Sequence, residues 1–350
     1  MSWQLRHALI TGLSGQDGAL LAAQLLARGI AVSGTHRPGR ALDDWRLREL
    51  GIARHRHLRS VALDPTAADA CAAIVRDLQP DALFHLAGQS RVAESFREPQ
   101  ASIAANGGST LNLLEALRRH APRCRFVLAS SAEIFGAPAQ APQDESTPLA
   151  ARSPYGVSKL LAHSAVGAWR ASYGLHASSA ILFNHESALR DPAFVTRKIS
   201  LAVAAIARGS AHEVVLGNLD ARRDFGHAPD CVAAMAAMVE RAQGDDYVLA
   251  TGHAASIREF ADAAFAAIGV ALQWHGAGAD EVGIDRASGA VRVRVDADLL
   301  RPFDAPLLVG NAAKARRELG FVSSRDLAGL ARTMVEADLA RLAPDRAPCA

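Results

Sequence analysis

The segment His7-Ala8-Leu9-Ile10-Thr11-Gly12-Leu13-Ser14-Gly15-Gln16-Asp17-Gly18 limits the folds open to this chain more than any other stretch. An apolar run of strand character stops at Gly12, glycine returns at 15 and 18, and residues 19–28 carry apolar side chains at helical spacing. Strand, glycine turn and helix are therefore expected in that order. Glycines at these positions allow a tight turn, close approach of backbone amides to a pyrophosphate, and close packing of helix on strand, with the helix N-terminus toward the anion. Glycine turns also occur without ligands. Here the strand before and the helix after supply the context that dinucleotide binding requires, so Gly12, Gly15, Gln16, Asp17 and Gly18 are candidate cofactor contacts.

The first half of the chain repeats the alternation. Residues 31–35 read as a second strand leading into His36-Arg37. An NAD site usually carries an acid there for the ribose 2′-hydroxyl; Asp43 comes late for that, whereas Arg37 suits the 2′-phosphate of NADP. The alternative for Arg37 is a solvated loop charge. Asp64, closing a third strand-like run, has the chemistry to accept from an adenine amino group, and Asp-Pro is equally a turn. Residues 83–89, LFHLAGQ, read as a buried strand entering a small-residue turn across which a cofactor can lie, which adds Leu86 and Ala87 to the candidates. Residues 110–119 are helical in spacing, and 125–130 form a near-continuous apolar strand typical of a parallel sheet covered on both faces. An α/β fold with a Rossmann-like, doubly wound parallel sheet is the expected architecture.

Two short stretches carry candidate chemistry. Ser131 and Glu133 follow the strand at 125–130, where ligands of open α/β sheets bind; their bland alternatives are a hydroxyl satisfying turn backbone and a charge at a helix N-terminus. In Ser153-Pro154-Tyr155-Gly156-Val157-Ser158-Lys159, Ser153 suits an N-cap and Pro154 the first helical position. Tyr155 and Lys159 then lie one turn apart on one face. A neighbouring ammonium favours the phenolate, which makes the tyrosine a candidate proton acceptor. The spacing alone is common on solvated helices.

Composition excludes several classes. The chain has 350 residues, half of them hydrophobic, with a formal net charge of +2. That is enough for a sizeable core and gives no nucleic-acid footprint. Cys71, Cys124, Cys231 and Cys349 are scattered, against a disulfide framework or a zinc site. His185 and His227 lack a partner at ligand spacing, so no metal is expected. No uninterrupted apolar run reaches the roughly 18 residues of a membrane span. A soluble, cytoplasmic protein with no membrane partner is expected.

Taken together, the glycine turn, the Ser-x-Glu after a strand and the Tyr-x-x-x-Lys helix resemble the extended short-chain dehydrogenase/reductase superfamily. Within it the chain is most similar to the GDP-mannose 4,6-dehydratases, on residues 10–18, on Ser153-Pro154-Tyr155-Gly156, on 181–187 (ILFNHES) with 194–198 (FVTRK), and on Gly217-Asn218-Leu219-Asp220 with 222–227 (RRDFGH). The resemblance runs from about residue 7 to about residue 340. It implies NADP as cofactor and a GDP-sugar as substrate. It further implies that Tyr155, held as phenolate by Lys159, takes the C4 hydroxyl proton, that Ser131 bonds the C4 oxygen, and that Glu133 removes the C5 proton. By the same resemblance Asn184, Arg223 and Arg301 contact the diphosphate, Lys198 and Gly217 border the guanine, Gln89, Ser90 and Glu186 line the hexose pocket, and Asp304 lies near the ribose. A homodimer or homotetramer is implied. The dinucleotide-binding part is expected at 1–182 and 228–250, a smaller discontinuous sugar-nucleotide part at 183–227 and 251–343, and a patternless tail at 344–350.

The chain departs from the family at several points. Ser131 stands where threonine is usual, a change that keeps the hydroxyl and with it the expected activity. Arg37-Pro38 stands where two arginines are, in a loop that in relatives reaches a neighbouring subunit's cofactor, which bears on tetramer assembly. Asp304 stands where a glutamate is and Pro306 where a further acid is, near the nucleotide ribose, which opens the substrate to a GDP-heptose or another nucleotide. A GDP-4-keto-6-deoxy-sugar reductase or a nucleotide-sugar 4-epimerase would use Tyr155 and Lys159 without needing Glu133. A catalytically silent NADP-binding regulatory protein would need none of the four.

Overall fold

The computed structural model describes residues 3–299 and 307–343. The chain divides into two compact units, Met1–Phe183 with Ala228–Leu249 and Gly310–Val322, and Asn184–His227 with Ala250–Val309 and Ser323–Ala350. The sequence placed 310–322 with the second part, but this segment belongs to the first unit. There Lys314 of the helix Ala313–Leu319 reaches Asp245 at 2.5 Å and the Asp246 carbonyl at 2.9 Å, and Gly310 bridges to Gln143. Arg301, Asp304, Pro306 and the tail at 344–350 lie outside the described residues.

The first unit is a doubly wound, seven-stranded parallel sheet. Its strands are β1 (His7–Thr11), β2 (Ala31–His36), β3 (Leu58–Ala62), β4 (Ala82–His85), β5 (Arg125–Ala129), β6 (Ala177–Leu182) and a last strand at Asp246–Leu249. The order is last strand, β6, β5, β4, β1, β2, β3, every pair parallel. Alternate residues of one strand enter opposite cores, as a two-residue period requires. In β1, Ala8 and Ile10 join one cluster and Leu9 the other; in β5, Val127 and Ala129 face away from Phe126 and Leu128. One core is closed by helices Gln16–Ala27 (α1) and Ala228–Met238, the other by Ala68–Leu78, Ser109–His120 and Pro154–Tyr173. Burial on both faces explains why β4 and β5 read as near-continuous apolar runs, while β6 buries two serines, Ser178 and Ser179, among its apolar residues.

In the second unit, strands Ala254–Ser256, Arg222–His227 and Asn184–Glu186 form one sheet, and Leu272–His275, Val282–Asp285, Val291–Val295 and Val214–Leu216 another. Helices Val195–Ala207, Ile257–Ala266 and Leu327–Arg341 bury Ile199, Val203, Phe260, Phe265, Met334 and Val335 against them. Ser256 and Glu259 form a reciprocal capping box at the start of the second of these helices. Inside this core Asp338, fully buried, is held by Arg197, by Arg341 at 2.8 Å and by the Ser200 hydroxyl at 2.8 Å. Among the described residues no helix is long and apolar enough to cross a membrane.

A buried guanidinium that loses its carboxylate has no water to replace it. Replacing Asp338 by Ala is therefore expected to cost about 3–5 kcal/mol, read as a lowered urea midpoint; a change within 1 kcal/mol would show that the arginines find other partners.

Candidate active site

The glycine turn is built by close approach of backbone to backbone. Gly12 has φ +80° and sits so near the end of β4 that a Cβ would lie 2.9 Å from the Ala87 nitrogen. A Cβ on Gly18 would lie 2.2 Å from the Gly12 carbonyl oxygen, so only glycine lets the helix settle on the turn. The helix starts at Gln16, three residues earlier than its apolar spacing suggests, because the turn itself supplies the first helical residues. Gly15 is its N-cap and offers no capping side chain. The 12-residue helix thus presents its N-terminus at a glycine-lined turn, the arrangement that suits a phosphate. Arg46, buried, donates to the Ser14 carbonyl at 2.8 Å and braces the turn from outside.

Arg37 is exposed immediately after β2. Asp64 takes the turn role: its Oδ1 accepts from the Thr66 amide at 3.0 Å and hydroxyl at 2.7 Å. Those bonds, with a smaller contribution from the Arg37 charge, hold its carboxyl below the ordinary range.

Ser153 caps the helix Pro154–Tyr173, its hydroxyl accepting from the Gly156 amide at 3.0 Å, and Pro154 takes the first position. Tyr155 and Lys159 are both buried, with the Lys159 Nζ 6.0 Å from the tyrosine ring centre. That ammonium donates to the carbonyl of Ala129, the last residue of β5, at 2.8 Å. Burial pushes its pKa down to about 8, opposed by the negative charge of Asp17 from the first turn of α1. After β5, Ser131 caps a short 3-10 turn, Ala132–Phe135, its hydroxyl accepting from the Glu133 amide at 3.2 Å. A Cβ on Gly156 would lie 2.8 Å from the Glu133 carbonyl oxygen, so the turn carrying Glu133 packs directly on the start of the tyrosine helix. Ser131, Glu133, Tyr155 and Lys159 are thus gathered at the carboxyl end of β5.

Sequence reasoning missed the groups that hold this arrangement. Asn106, in a π-helical turn at Ala104–Gly108, pairs with both backbone groups of Gln89 at 3.0 Å and donates to Ser158 Oγ at 2.8 Å. Ser95 accepts from the Tyr155 amide at 3.0 Å. Neither Asn106 nor Ser95 carries a local signal in the sequence. Gln89 leaves its Oε1 buried without a partner, and Ser130 its hydroxyl, while Ser90 is exposed.

In the second unit Asn184 and Glu186 lie on one strand, in register with Phe225 and His227. Glu186, expected to line a hexose pocket, is 1% exposed and engaged by Arg190 at 3.2 Å and the Thr196 hydroxyl at 2.6 Å. Lys198 is exposed, and Arg223 donates to the Arg222 carbonyl at 2.7 Å. Gly217 is another forced glycine, since a Cβ there would lie 2.6 Å from the Leu299 carbonyl oxygen. His227 Nδ1 is 3.2 Å from the Ser324 hydroxyl. Among the described residues no cluster of three or more His, Cys, Asp or Glu could hold a metal.

A parallel doubly wound sheet with a glycine turn after its first strand, a serine after the fifth and a Tyr-x-x-x-Lys helix behind it defines an extended short-chain dehydrogenase/reductase. The fold is shared by solved structures, among them a dTDP-glucose 4,6-dehydratase, DesIV, from Streptomyces venezuelae with NAD bound (24% identity, TM-score 0.77, 94% of this chain and 95% of that one) and RMD from Pseudomonas aeruginosa complexed with NADPH (24%, 0.75, 96% and 100%). Residues 9–334 match the family model described as GDP-mannose 4,6 dehydratase, and the GDP-mannose 4,6-dehydratase of Sinorhizobium fredii is 43% identical over 96% of this chain and 97% of its own. The chain belongs to the GDP-mannose 4,6-dehydratase family.

The depressed Lys159 pKa has a consequence for the ligand-free protein. Between about pH 8 and pH 10.5 the folded chain has released a proton that the unfolded chain still holds at this lysine, so this contribution to stability rises with pH. The Lys159→Met variant is expected to lack that rise. Urea unfolding of both proteins at pH 7.0 and pH 9.5 tests it; parallel changes would place the lysine pKa near its ordinary value.

Proposed function

We propose that this protein is a hydro-lyase that converts GDP-mannose to GDP-4-keto-6-deoxymannose with bound NADP. The placement of Glu133 carries this assignment: a carboxylate-bearing turn capped by Ser131 and packed on the first turn of the Tyr155 helix. An epimerase or a keto-sugar reductase needs the tyrosine and the lysine but has no use for a base at C5.

The chain's residues fit a nicotinamide dinucleotide. The helix beginning at Gln16 has no capping side chain, and the turn before it leaves no room for a Cβ at Gly12 or Gly18. Arg37, exposed after β2 with no acid before Asp43, favours the 2′-phosphate form. When bound, NADP supplies the acceptor for a hydride leaving sugar C4 and the donor that returns it to C6. Tyr155 takes the C4 hydroxyl proton, and the Lys159 ammonium stabilises the phenolate from which it starts. Ser131, whose oxygen already accepts from the Glu133 amide, keeps its own proton to donate to the C4 oxygen. The resulting ketone acidifies C5; Glu133 removes that proton and delivers it to the C6 hydroxyl, which leaves as water. C5 regains a proton from solvent, which balances the C4 hydroxyl proton that Tyr155 gives up as it returns to phenolate. Gln89 is assigned to the hexose pocket by family resemblance. Asn184 and Arg223 are assigned to the diphosphate by family resemblance.

Glu133→Gln keeps the size and the backbone cap but cannot accept the C5 proton. It is expected to bind NADP and GDP-mannose as the parent does while 4-keto-6-deoxy product, followed by its absorbance in alkali, falls by about 10²–10⁴. Turnover within threefold of the parent would remove Glu133 from the mechanism, and with it the dehydratase assignment.

A further inference from the structure

We propose that His85 is a positioning residue that fixes the cofactor-side turn Leu86-Ala87 through the hydroxyl of Thr11. It rests on the assignment of a nicotinamide dinucleotide to the Gly12–Gly18 turn.

His85 ends β4, after Ala82-Leu83-Phe84, and is 1% exposed. Its Nδ1 is 2.8 Å from Thr11 Oγ1 and its Nε2 is 2.9 Å from Ser109 Oγ. The direction of every proton in this chain follows from its ends. Thr11 Oγ1 accepts from the amides of Leu86 and Ala87, each at 3.1 Å, and amides can only donate. The single Thr11 proton therefore goes to His85 Nδ1. At the other end Ser109 Oγ lies 2.6 Å from the Ala105 carbonyl and 3.2 Å from that of Asn106, and carbonyls only accept. Its proton is used there, so it accepts from His85 Nε2–H. One tautomer, neutral and protonated at Nε2, satisfies all the groups. Burial and the Lys159 charge push the ring pKa down to about 3, which keeps it in that state.

The turn held this way is the one against which Gly12 packs without room for a Cβ. If Thr11 loses its acceptor, its hydroxyl proton must turn toward the space occupied by the two amide protons. One of the amides at Leu86 or Ala87 then loses its partner, and the surface offered to the dinucleotide shifts.

Amide side chains separate the two halves of the ring. His85→Asn places a carbonyl oxygen at the level of Nδ1 and keeps the acceptor for Thr11; His85→Gln places its amide at the level of Nε2 and keeps only the Ser109 contact; His85→Leu keeps neither. Two readouts are taken: the NADP dissociation constant by calorimetry, and hydrogen exchange of the Leu86 and Ala87 amides in the ligand-free protein. His85→Asn is expected within threefold of the parent in both. His85→Gln and His85→Leu should weaken NADP tenfold or more and speed exchange at these two amides by a similar factor. Unchanged exchange in His85→Leu and His85→Gln would overturn the lock. Faster exchange with unchanged NADP affinity would overturn its link to the cofactor. Equal losses of NADP affinity and of amide protection in all three variants, His85→Asn included, would reduce His85 to packing. A parent protein that binds no nicotinamide dinucleotide would overturn the assignment of the site, and with it the cofactor role of His85, while the exchange data still decide whether the lock exists.

Discussion

The ammonium of Lys159 sits where the fold least favours a charge. It is buried, and its 2.8 Å bond to the Ala129 carbonyl fastens the tyrosine helix to the end of β5. Burial penalises the charged form, and the pKa near 8 records how far the opposing charge of Asp17 falls short of replacing water. A lysine in ordinary solvent would hold its proton more firmly but would give a tyrosine little help, because water screens the pair. The same desolvation that weakens the lysine strengthens its field at the phenol. Around this buried charge the neighbouring groups are tied together: Ser153 caps the helix, Ser95 satisfies the Tyr155 amide, and Asn106 ties Ser158 to Gln89.

The parts of this design that are local in sequence were legible. Gly12, Gly15 and Gly18 announce a turn because their backbone demands are met within a few residues. Ser153-Pro154 announces a helix start for the same reason, and the buried faces of β4 and β5 follow from uninterrupted apolar runs. The supports were not legible. Thr11 and His85 lie 74 residues apart and meet only because β1 and β4 are neighbours in the sheet; nothing in a linear reading marks a histidine at a strand end as a proton acceptor for a threonine. Arg46 shows the same thing, an apparent surface arginine on a short helix that turns inward to a carbonyl of the glycine turn. Segment 310–322 reads like its surroundings, and it joins the first unit through Lys314 and Gly310, contacts that no local pattern encodes.

Charge in the second unit follows a different logic. Asp338 and Glu186 are both almost fully buried, and each is surrounded by arginine and hydroxyl donors. Buried carboxylates with several donors hold segments in register, since each misplacement leaves a desolvated charge without a partner. From the sequence alone Glu186 is indistinguishable from a ligand-facing acid, because both uses call for a carboxylate after a strand. In the folded chain Glu186 is tied to Arg190 and to the Thr196 hydroxyl.

The serine at 131, expected from the family resemblance to stand in place of a threonine, is restrained by a hydrogen bond. Threonine's methyl limits its hydroxyl to few rotamers, and serine lacks that restraint. In this chain the Glu133 amide supplies it: by donating to Ser131 Oγ at 3.2 Å it holds the oxygen in one place and occupies a lone pair. The hydroxyl proton is then directed away from the turn. The residue that orients the serine is the one whose side chain is assigned to C5, so the base and the hydrogen-bond donor are set by a single backbone turn. A hydrogen bond does the work of a methyl group here, and it links the two steps of the proposed reaction at their source.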